Sequence, residues 1–375
     1  MKYSYDKRIV LTLDAGGTNF VFSAIRSNEE IVEPVRFPSS ADDLDKCLDT
    51  LEKGFRAVMA QLKEKPVAIS FAFPGPADYV NGIIGDLPNL PAFRGGVALG
   101  PYLHEVFGLP VFINNDGDLF AYGESMSGTL PWINAMLESE ENPKRYHNLI
   151  GLTFGTGFGC GVCINGYLNR GDNGSGGDIW VFRNHMLPEY IVEESVSIRA
   201  VKRVYAERSG ILNPELTPKD IFEIAQGTQE GNQEAAQEAF AEMGRVAGEA
   251  IADAITLVDG MVVIGGGLSG AQAYFMPALV AQLNGSIKLM NGGTVSRIQS
   301  HAYNLEDEFQ LNEFLKSSVH EVKIPRFNKS ISYNTEKRVG IAISKLGTSQ
   351  AISLGAYAFA LSELDKIEQA LNSTY

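Results

Sequence analysis

This 375-residue sequence contains one pattern twice: an apolar strand, a tip of small residues and a second strand. This repeat is the feature that most constrains the fold. The first copy joins two apolar strands through Asp14-Ala-Gly-Gly-Thr18, and the second does so through Gly155-Thr-Gly-Phe-Gly159. The tip threonines, Thr18 and Thr156, stand 138 positions apart, whereas a solenoid repeats every ~20–50 residues. The repeat therefore predicts two related halves that face one another.

Apolar strands alternate with segments of helical spacing along the chain, which is typical of an α/β fold. We predict a helix over 41–62, strands over 67–73 and 261–264, and a closing helix over 349–371. Residues 285–345 contain few periodic runs, and their structure and role stay open. The length is sufficient for two domains, each with its own core.

The net charge of −14 argues against nucleic acid as the main partner, because a DNA-binding face must be basic. The N-terminus lacks the apolar segment of a signal peptide, and no stretch of about 20 apolar residues occurs. The three cysteines are too few for a disulfide framework. We expect a cytoplasmic protein with small-molecule partners, without nucleic acid or a membrane.

Both tips have the composition of a phosphate cradle. Glycine lets the backbone approach an anion, successive N–H groups form an anion-binding nest, and a threonine hydroxyl adds a donor. Asp14 could hold Mg²⁺ directly or through water. Either tip alone could equally be a hairpin turn that requires glycine, but two facing tips that hold a polyphosphate are a more specific combination.

A third glycine run, Gly265-Gly-Gly-Leu268-Ser-Gly270, follows a predicted strand and fits the dinucleotide pattern G-x-G-x-x-G. That pattern also requires an acidic residue about 20 positions later, and residues 280–305 contain none. We therefore do not expect a nicotinamide enzyme. The run could place a helix start near an adenosine or its phosphates, or it could be a tight strand-to-helix turn.

Asn115 and Asp116 end an apolar strand just before a predicted helix. Ligands of α/β proteins bind at strand ends, where Asp116 could accept a proton from a hydroxyl and Asn115 could hydrogen-bond a sugar. The alternative is helix capping, in which Asn and Asp are common. Cys160 and Cys163 point to opposite faces if they lie on one strand, so we interpret them as small buried residues.

In their order and spacing, these motifs resemble the ROK family of sugar kinases and regulators. The resemblance covers most of the chain and is clearest at these segments: Leu13–Thr18, Pro74–Pro76, Leu87–Leu90, Asn115–Asp116, Gly155–Gly157, Asn165–Gly166 with Gly171, Val263–Leu268 and Leu354–Ala356.

The resemblance implies an α/β fold of two ribonuclease H-like (actin-like ATPase) domains around a central cleft. Residues 1–115 with 356–375 would form the smaller domain, and 116–355 the larger one. It also implies transfer of the γ-phosphoryl group of ATP, with Mg²⁺, to a sugar hydroxyl. The implied roles are as follows: Asp116 as catalytic base; Asp14, Gly16, Gly17 and Thr18 as the first phosphate motif; Gly155, Thr156 and Gly157 as the second; Gly265, Gly266, Gly267 and Leu268 on the adenosine side; and Asn89, Asn115 and Asp116 as sugar contacts.

The sequence departs from the family pattern where ROK kinases carry Glu-x-Gly-His and a cysteine-rich zinc loop. Asp178 replaces the family glutamate, and Val181 replaces the histidine that binds zinc and touches the sugar. Ile191-Val-Glu193 stands where Cys-x-Glu is expected, so Glu193 keeps the sugar-binding glutamate position. We predict no zinc, and a sugar pocket altered near Asp178.

The leading hypothesis is therefore an ATP-dependent hexose kinase with glucose as the first substrate to test. The alternatives are a kinase for fructose, mannose or an N-acetylated amino sugar, and a non-catalytic sugar- or nucleotide-binding sensor. ROK repressors carry a DNA-binding domain before the first tip, and only thirteen residues precede Asp14, so we do not expect a repressor. Dimers are common in the family, and a homodimer is possible here.

Overall fold

The computed structural model describes residues 2–16, 18–40, 42–75, 77–85, 91–211 and 215–373. The described strands, in chain order, are β1 (Val10–Ala15), β2 (Asn19–Arg26), β3 (Glu29–Glu30), β4 (Val35–Pro38), β5 (Ala68–Ala72), β6 (Ala77–Asp78), β7 (Ile83–Ile84), β8 (Val111–Asn114), β9 (Leu149–Phe154), β10 (Phe158–Ile164), β11 (Tyr167–Leu168), β12 (Met261–Gly265), β13 (Ser286–Lys288), β14 (Thr294–Ser296), β15 (His301–Asn304), β16 (Val319–Lys323), β17 (Ser330–Asn334) and β18 (Arg338–Ile343).

The described α-helices are α1 (Leu44–Met59), α2 (Leu99–Phe107), α3 (Asp116–Met126), α4 (Thr129–Ser139), α5 (Ile198–Ser209), α6 (Pro218–Gln226), α7 (Gln233–Val258), α8 (Gln272–Leu283), α9 (Glu308–Leu315) and α10 (Thr348–Asn372). No described helix combines the length and the apolar character that crossing a membrane requires.

The chain divides into two compact units. The first consists of Met1–Gly128, Gly161–Gly177 and Leu346–Tyr375, and the second of Thr129–Cys160 and Asp178–Lys345. The closing helix α10 lies in the first unit, whereas the sequence assigns only its residues from 356 onward to the N-terminal domain. Helix α3 also lies there, whereas the sequence places residues after 115 in the other domain; the domain boundary itself stays a prediction.

The first unit is built on a sheet with the order β3-β2-β1-β5-β8, in which β4 also pairs with β2. Strands β1 and β2 form the predicted antiparallel hairpin, while β1, β5 and β8 run parallel. Helix α1 buries Cys47, Leu51, Phe55 and Val58. Their spacing of three to four residues is the predicted helical periodicity, and these side chains join the core cluster of this sheet.

Helices α3 and α10 of the first unit contact each other through glycines. A Cβ at Gly355 would lie 1.9 Å from the carbonyl oxygen of Leu119, and one at Gly123 would lie 1.9 Å from that of Ala351. No side chain fits at these distances, so the two glycines let the helix backbones touch. This close contact places the start of α3 firmly against α10.

The second unit contains a sheet in the order β10-β9-β12-β18-β15, in which β9, β12, β18 and β15 run parallel to one another. The long helix α7 buries one face rich in alanine and glycine. Residues 285–345, left open by the sequence, form two separate hairpins, β13–β14 and β16–β17, with β15, α9 and β18 around them. Strand β10 begins at Phe158, so the last two residues of the second tip, Phe158 and Gly159, already belong to a strand.

Candidate functional site

The first tip lies between β1 and β2 of the first unit. Asp14 is exposed near the end of β1 and pairs with Val21 across the hairpin. A Cβ at Gly16 would lie 2.9 Å from the carbonyl oxygen of Asn19, so the tight turn itself requires this glycine. Thr18 is exposed, and its carbonyl oxygen accepts a hydrogen bond from Ser39. Gly17 lies outside the described residues.

Asp14 and Asn114 stand in one row across the parallel strands of the first unit. Asp14 pairs with Ala72, and Ala72 pairs with Asn114. Two strand spacings separate the backbones of Asp14 and Asn114 by about 10 Å. Because parallel strands share one carboxyl edge, the first tip and the residues after Asn114 are placed at the same edge of this sheet.

Asn115 and Asp116 begin helix α3 at that edge. Asn115 is the N-cap residue, and its side chain accepts a hydrogen bond of 2.8 Å from the backbone N–H of Gly117. The capping interpretation is therefore confirmed for Asn115. Asp116 is the first residue of the helix, and its carboxylate accepts from the same N–H at 2.8 Å.

The surroundings of Asp116 raise the pKa of its carboxyl above the ordinary value, because desolvation outweighs the hydrogen bond from Gly117. Its side chain nevertheless has an exposed surface that a hydroxyl could reach. An exposed carboxylate whose pKa is raised is a stronger base than an ordinary carboxylate, and it is therefore suited to accept a proton from a hydroxyl.

Two residues that meet at the end of β8, Asn114 and Arg170, were not predicted from the sequence. Asn114 is fully buried, and its Oδ1 accepts a hydrogen bond of 3.3 Å from Arg170, whose guanidinium lies 5.0 Å from the centre of the Phe359 ring. The Nδ2 atom of Asn114 has no partner among the described residues. No sequence pattern indicated this contact, because Arg170 follows Asn114 by 56 positions.

The second and third tips lie side by side in the second unit. They follow the adjacent parallel strands β9 and β12, in which Thr153 pairs with Gly265. The backbone N–H of Leu268 donates 2.9 Å to the carbonyl oxygen of Phe154. The structure therefore brings Gly155–Gly157 together with Gly265–Leu268, as a shared nucleotide site would require.

The glycines of these two tips differ in what requires them. Gly266 has a φ of +89°, and a Cβ there would lie 2.3 Å from the carbonyl oxygen of Phe154, so the turn itself needs glycine. At Gly155, Gly267 and Gly270 a Cβ would meet no protein atom within 4 Å, and φ lies outside the left-handed region. Neither packing nor backbone conformation explains these three, whereas close approach of a ligand to the backbone would.

A cavity of about 140 Å³ adjoins the third tip. Gly267, Leu268 and Gly270 form one side, and Phe222 and Phe240 of α6 and α7 contribute aromatic rings. A small cavity with apolar walls beside open backbone groups is suited to a flat ring with polar edges. No pattern in the sequence indicated that Phe222 and Phe240 would line a cavity at the third tip.

Glu193 lies against the second tip. Its Oε2 accepts a hydrogen bond of 2.9 Å from the N–H of Phe158, and a Cβ at Gly157 would lie 2.6 Å from the same oxygen. Arg199 donates 2.9 Å to Oε1 of Glu193 and 3.3 Å to the carbonyl oxygen of Thr156. Each carboxylate oxygen can accept more than one hydrogen bond, so Glu193 keeps capacity for a ligand hydroxyl.

Arg199 was not predicted, because it follows no motif. It also hydrogen-bonds Glu194 and thereby lowers the pKa of that carboxyl. The two glutamates and the carbonyl oxygen of Thr156 thus share one guanidinium beside the second tip.

Asp178 is exposed in the second unit, and Trp180 donates 3.2 Å from Nε1 to its Oδ1. Val181 is also exposed, at the position where the family pattern has histidine. No group of three or more His, Cys, Asp or Glu that could hold a metal ion occurs in the part of the chain that the structure describes. Asn89, predicted as a sugar contact, lies outside the described residues.

The profile of the ROK family matches residues 10–304 of the chain. The chain belongs to the ROK family. A crystal structure of the glucokinase from Parabacteroides distasonis is 57% identical in sequence, with a TM-score of 0.89, and the match covers 96% of this chain and 99% of that one. The predicted family and the two-domain α/β fold of actin-like ATPases are thereby confirmed.

Two curated relatives match part of the chain. The glucokinase of Thermotoga maritima is 28% identical over 45% of this chain and 49% of its own length. The N-acetyl-D-glucosamine kinase of Photobacterium profundum is 29% identical over 44% of this chain and 50% of its own length. The chain thus spans about half the length of these relatives.

Proposed function

We propose that this ROK protein is an ATP- and Mg²⁺-dependent kinase that phosphorylates a hydroxyl of a hexose, with Asp116 as the general base. The observation that carries the proposal is the placement of Asp116. Its carboxyl has a raised pKa and an exposed surface, and it stands at the sheet edge that also carries the first tip. The 57% identical glucokinase supports the same reaction.

The residues present fit a nucleotide. Open space at Gly155, Gly267 and Gly270 leaves room for a ligand against the backbone, and the adjoining cavity has the walls that a nucleobase requires. Bound ATP with Mg²⁺ would supply the phosphoryl group and neutralise its charge. Asp14 would hold the ion through water, since a single carboxylate with nucleotide phosphates is a common Mg²⁺ environment.

The protein's own task is to position the reactants and to accept one proton. In this proposal the tip N–H groups and Thr18 and Thr156 bind phosphate oxygens. Asp116 takes the proton of the attacking hydroxyl, while Asn115, Asp178 and Glu193, together with Asn89, contact the sugar.

An ADP-release assay coupled to NADH oxidation tests the reaction over a panel of glucose, mannose, fructose, N-acetylglucosamine and N-acetylmannosamine. We expect sugar-dependent ADP release, with glucose the first candidate. The match to an N-acetyl-D-glucosamine kinase keeps the N-acetylated amino sugars in the panel. Absence of sugar-dependent release with every hexose would contradict the proposal, and sugar or nucleotide binding measured by calorimetry would then favour the non-catalytic sensor.

Asp116→Asn tests the base. We expect kcat to fall about 10²- to 10⁴-fold, the contribution typical of a general base, with ATP binding largely retained. Asp45→Asn is a matched control, because Asp45 is also an exposed acidic residue in the first turn of a helix, but lies on α1 rather than on α3. The base assignment is wrong if Asp116→Asn keeps near wild-type turnover.

A further inference from the structure

The segment 178–195 joins two residues of the proposed sugar site, Asp178 and Glu193, without forming an α-helix or a strand. It contains two short 3₁₀ turns, Ile179–Val181 and Val192–Glu194, and one bridge between Arg183 and Ile191. Residues 185–190 are all exposed. A segment with so little regular structure needs specific contacts to hold one conformation.

Asn184 supplies such contacts from the centre of the segment. Its side chain is fully buried. Its Nδ2 donates 2.7 Å to Oγ of Ser195, and its Oδ1 accepts from the backbone N–H groups of Met186 at 3.0 Å and Leu187 at 3.1 Å. Its own N–H donates 3.0 Å to the carbonyl oxygen of Tyr190. One side chain therefore ties the middle of the segment to its end.

The hydrogen bond between Asn184 and Ser195 connects the centre of the segment to the turn that contains Glu193. Ser195 closes the turn that contains Glu193, since its N–H donates 2.9 Å to the carbonyl oxygen of Val192. Oγ of Ser197 donates 2.8 Å to the carbonyl oxygen of Glu193. The Glu193 carboxylate, held by this turn, accepts from the N–H of Phe158 at the second tip.

We infer that Asn184 is a positioning residue that acts through Glu193: it fixes the segment 178–195 so that the Glu193 carboxylate faces the second tip and the sugar. The expected effect on kinetics rests on the proposed function, but the role of Asn184 in holding the conformation of the segment 178–195 does not depend on catalysis. The chain lacks the cysteines and the histidine of the family's zinc loop, and buried hydrogen bonds of Asn184 close the same stretch of chain.

Asn142 provides a matched control. It is also a buried asparagine of the second unit, only 4% exposed. Its Nδ2 donates to the carbonyl oxygens of Leu315 at 2.9 Å and Lys316 at 3.1 Å, and its Oδ1 accepts from the N–H of Lys144 at 2.9 Å. Asn142→Ala thus removes as many side-chain hydrogen bonds as Asn184→Ala, but away from Glu193.

The first measurement is hydrogen–deuterium exchange of the full chain. Asn184→Ala should speed exchange of the amides of residues 186–195 and of Phe158, and Asn142→Ala should not. Asn184→Asp should restore protection, because its carboxylate can accept from both N–H groups and from the Ser195 hydroxyl. Unchanged exchange at Phe158 in Asn184→Ala overturns the inference, whether or not the wild-type protein releases ADP.

The second measurement is a double-mutant cycle in the ADP-release assay, with the panel's best sugar. Asn184→Ala should raise KM for the sugar about tenfold, as expected for lost buried hydrogen bonds, with a smaller change in kcat. In a Glu193→Gln background it should have little further effect, because residues that act through one another are not additive. Multiplicative effects of the two substitutions, or an equal KM change with Asn142→Ala, would overturn the inference.

Ser195→Ala keeps the test decisive if Asn184→Ala does not fold. It removes only one bond of the path, that from Asn184 Nδ2. We expect the same pattern with a smaller rise in KM, and a wild-type KM together with wild-type exchange at Phe158 counts against the inference. A wild-type protein without sugar-dependent ADP release refutes the proposed function alone, since the exchange results still decide the role of Asn184.

Discussion

Replacing Gly155 by alanine separates the ligand role of a glycine from its structural role. A Cβ at Gly155 would meet no protein atom within 4 Å, and φ is not in the left-handed region. Gly→Ala at such a position stabilises a fold by about 0.4–1 kcal/mol, because the unfolded chain loses conformational freedom. We therefore expect Gly155→Ala to be at least as stable as the wild type in urea denaturation.

The same methyl group would occupy space that the proposed nucleotide needs. Forcing one extra carbon into a filled site costs about 1–3 kcal/mol, which corresponds to a fall in kcat/KM for ATP of about 5- to 150-fold. The ADP-release assay at saturating sugar measures this ratio. The expected combination is thus a gain of stability with a loss of activity in a single variant.

Gly266→Ala is the contrasting variant. Its positive φ and the carbonyl oxygen of Phe154 at 2.3 Å from the added Cβ predict destabilisation by at least about 2 kcal/mol. If Gly155→Ala keeps wild-type kcat/KM for ATP, the open space at Gly155 is not part of the nucleotide site. If it destabilises the protein as Gly266→Ala does, the geometry assigned to the second tip is wrong.

Three further predictions concern the two units. Gly355→Ala should lower the free energy of unfolding by about 3 kcal/mol in urea, because its Cβ would lie 1.9 Å from the carbonyl oxygen of Leu119. Folding raises the pKa of Asp116, so its negative charge lowers the stability of the folded state at pH values above that raised pKa, and this cost disappears as the pH falls below it. Asp116→Asn should therefore have a higher Tm than the wild type near neutral pH, and calorimetry should show that this gain is lost at acidic pH. Arg199→Ala should raise KM for ATP about three- to tenfold, because Thr156 loses a partner, and change stability by less than about 1 kcal/mol. A Tm gain of Asp116→Asn that is equal at all pH values would contradict the second prediction, and an unchanged KM for ATP in Arg199→Ala would contradict the third.

Periodicity and turn residues predicted much of the fold. The β1–β2 hairpin, α1, β5, β12 and α10 lie where apolar spacing placed them, because these elements bury one face or a whole strand. Helix α4 was not predicted from the sequence. It contains Pro131 in its first turn, where proline is tolerated because the N–H groups lack intrahelical partners. The hairpin β16–β17 contains no buried residue, so it left no burial pattern to follow.

The order and spacing of the glycine motifs, together with Asp116, were sufficient to identify the family from the sequence alone. The reason is that turns, nests and strand ends depend on residues close together in the chain. Every glycine of the tips can also be located in the sequence, but the sequence does not distinguish a glycine required by the turn from one that leaves space for a ligand.

Only the tertiary structure decided which glycines are required by the turn, as at Gly266, and which leave open space, as at Gly155 and Gly267. It alone joined Glu193 to Phe158, Arg170 to Asn114, and Asn184 to Ser195. Such contacts depend on how separate segments pack and on which polar atoms burial leaves to be paired. Neither local periodicity nor motif spacing contains that information, because it arises only when the chain is folded.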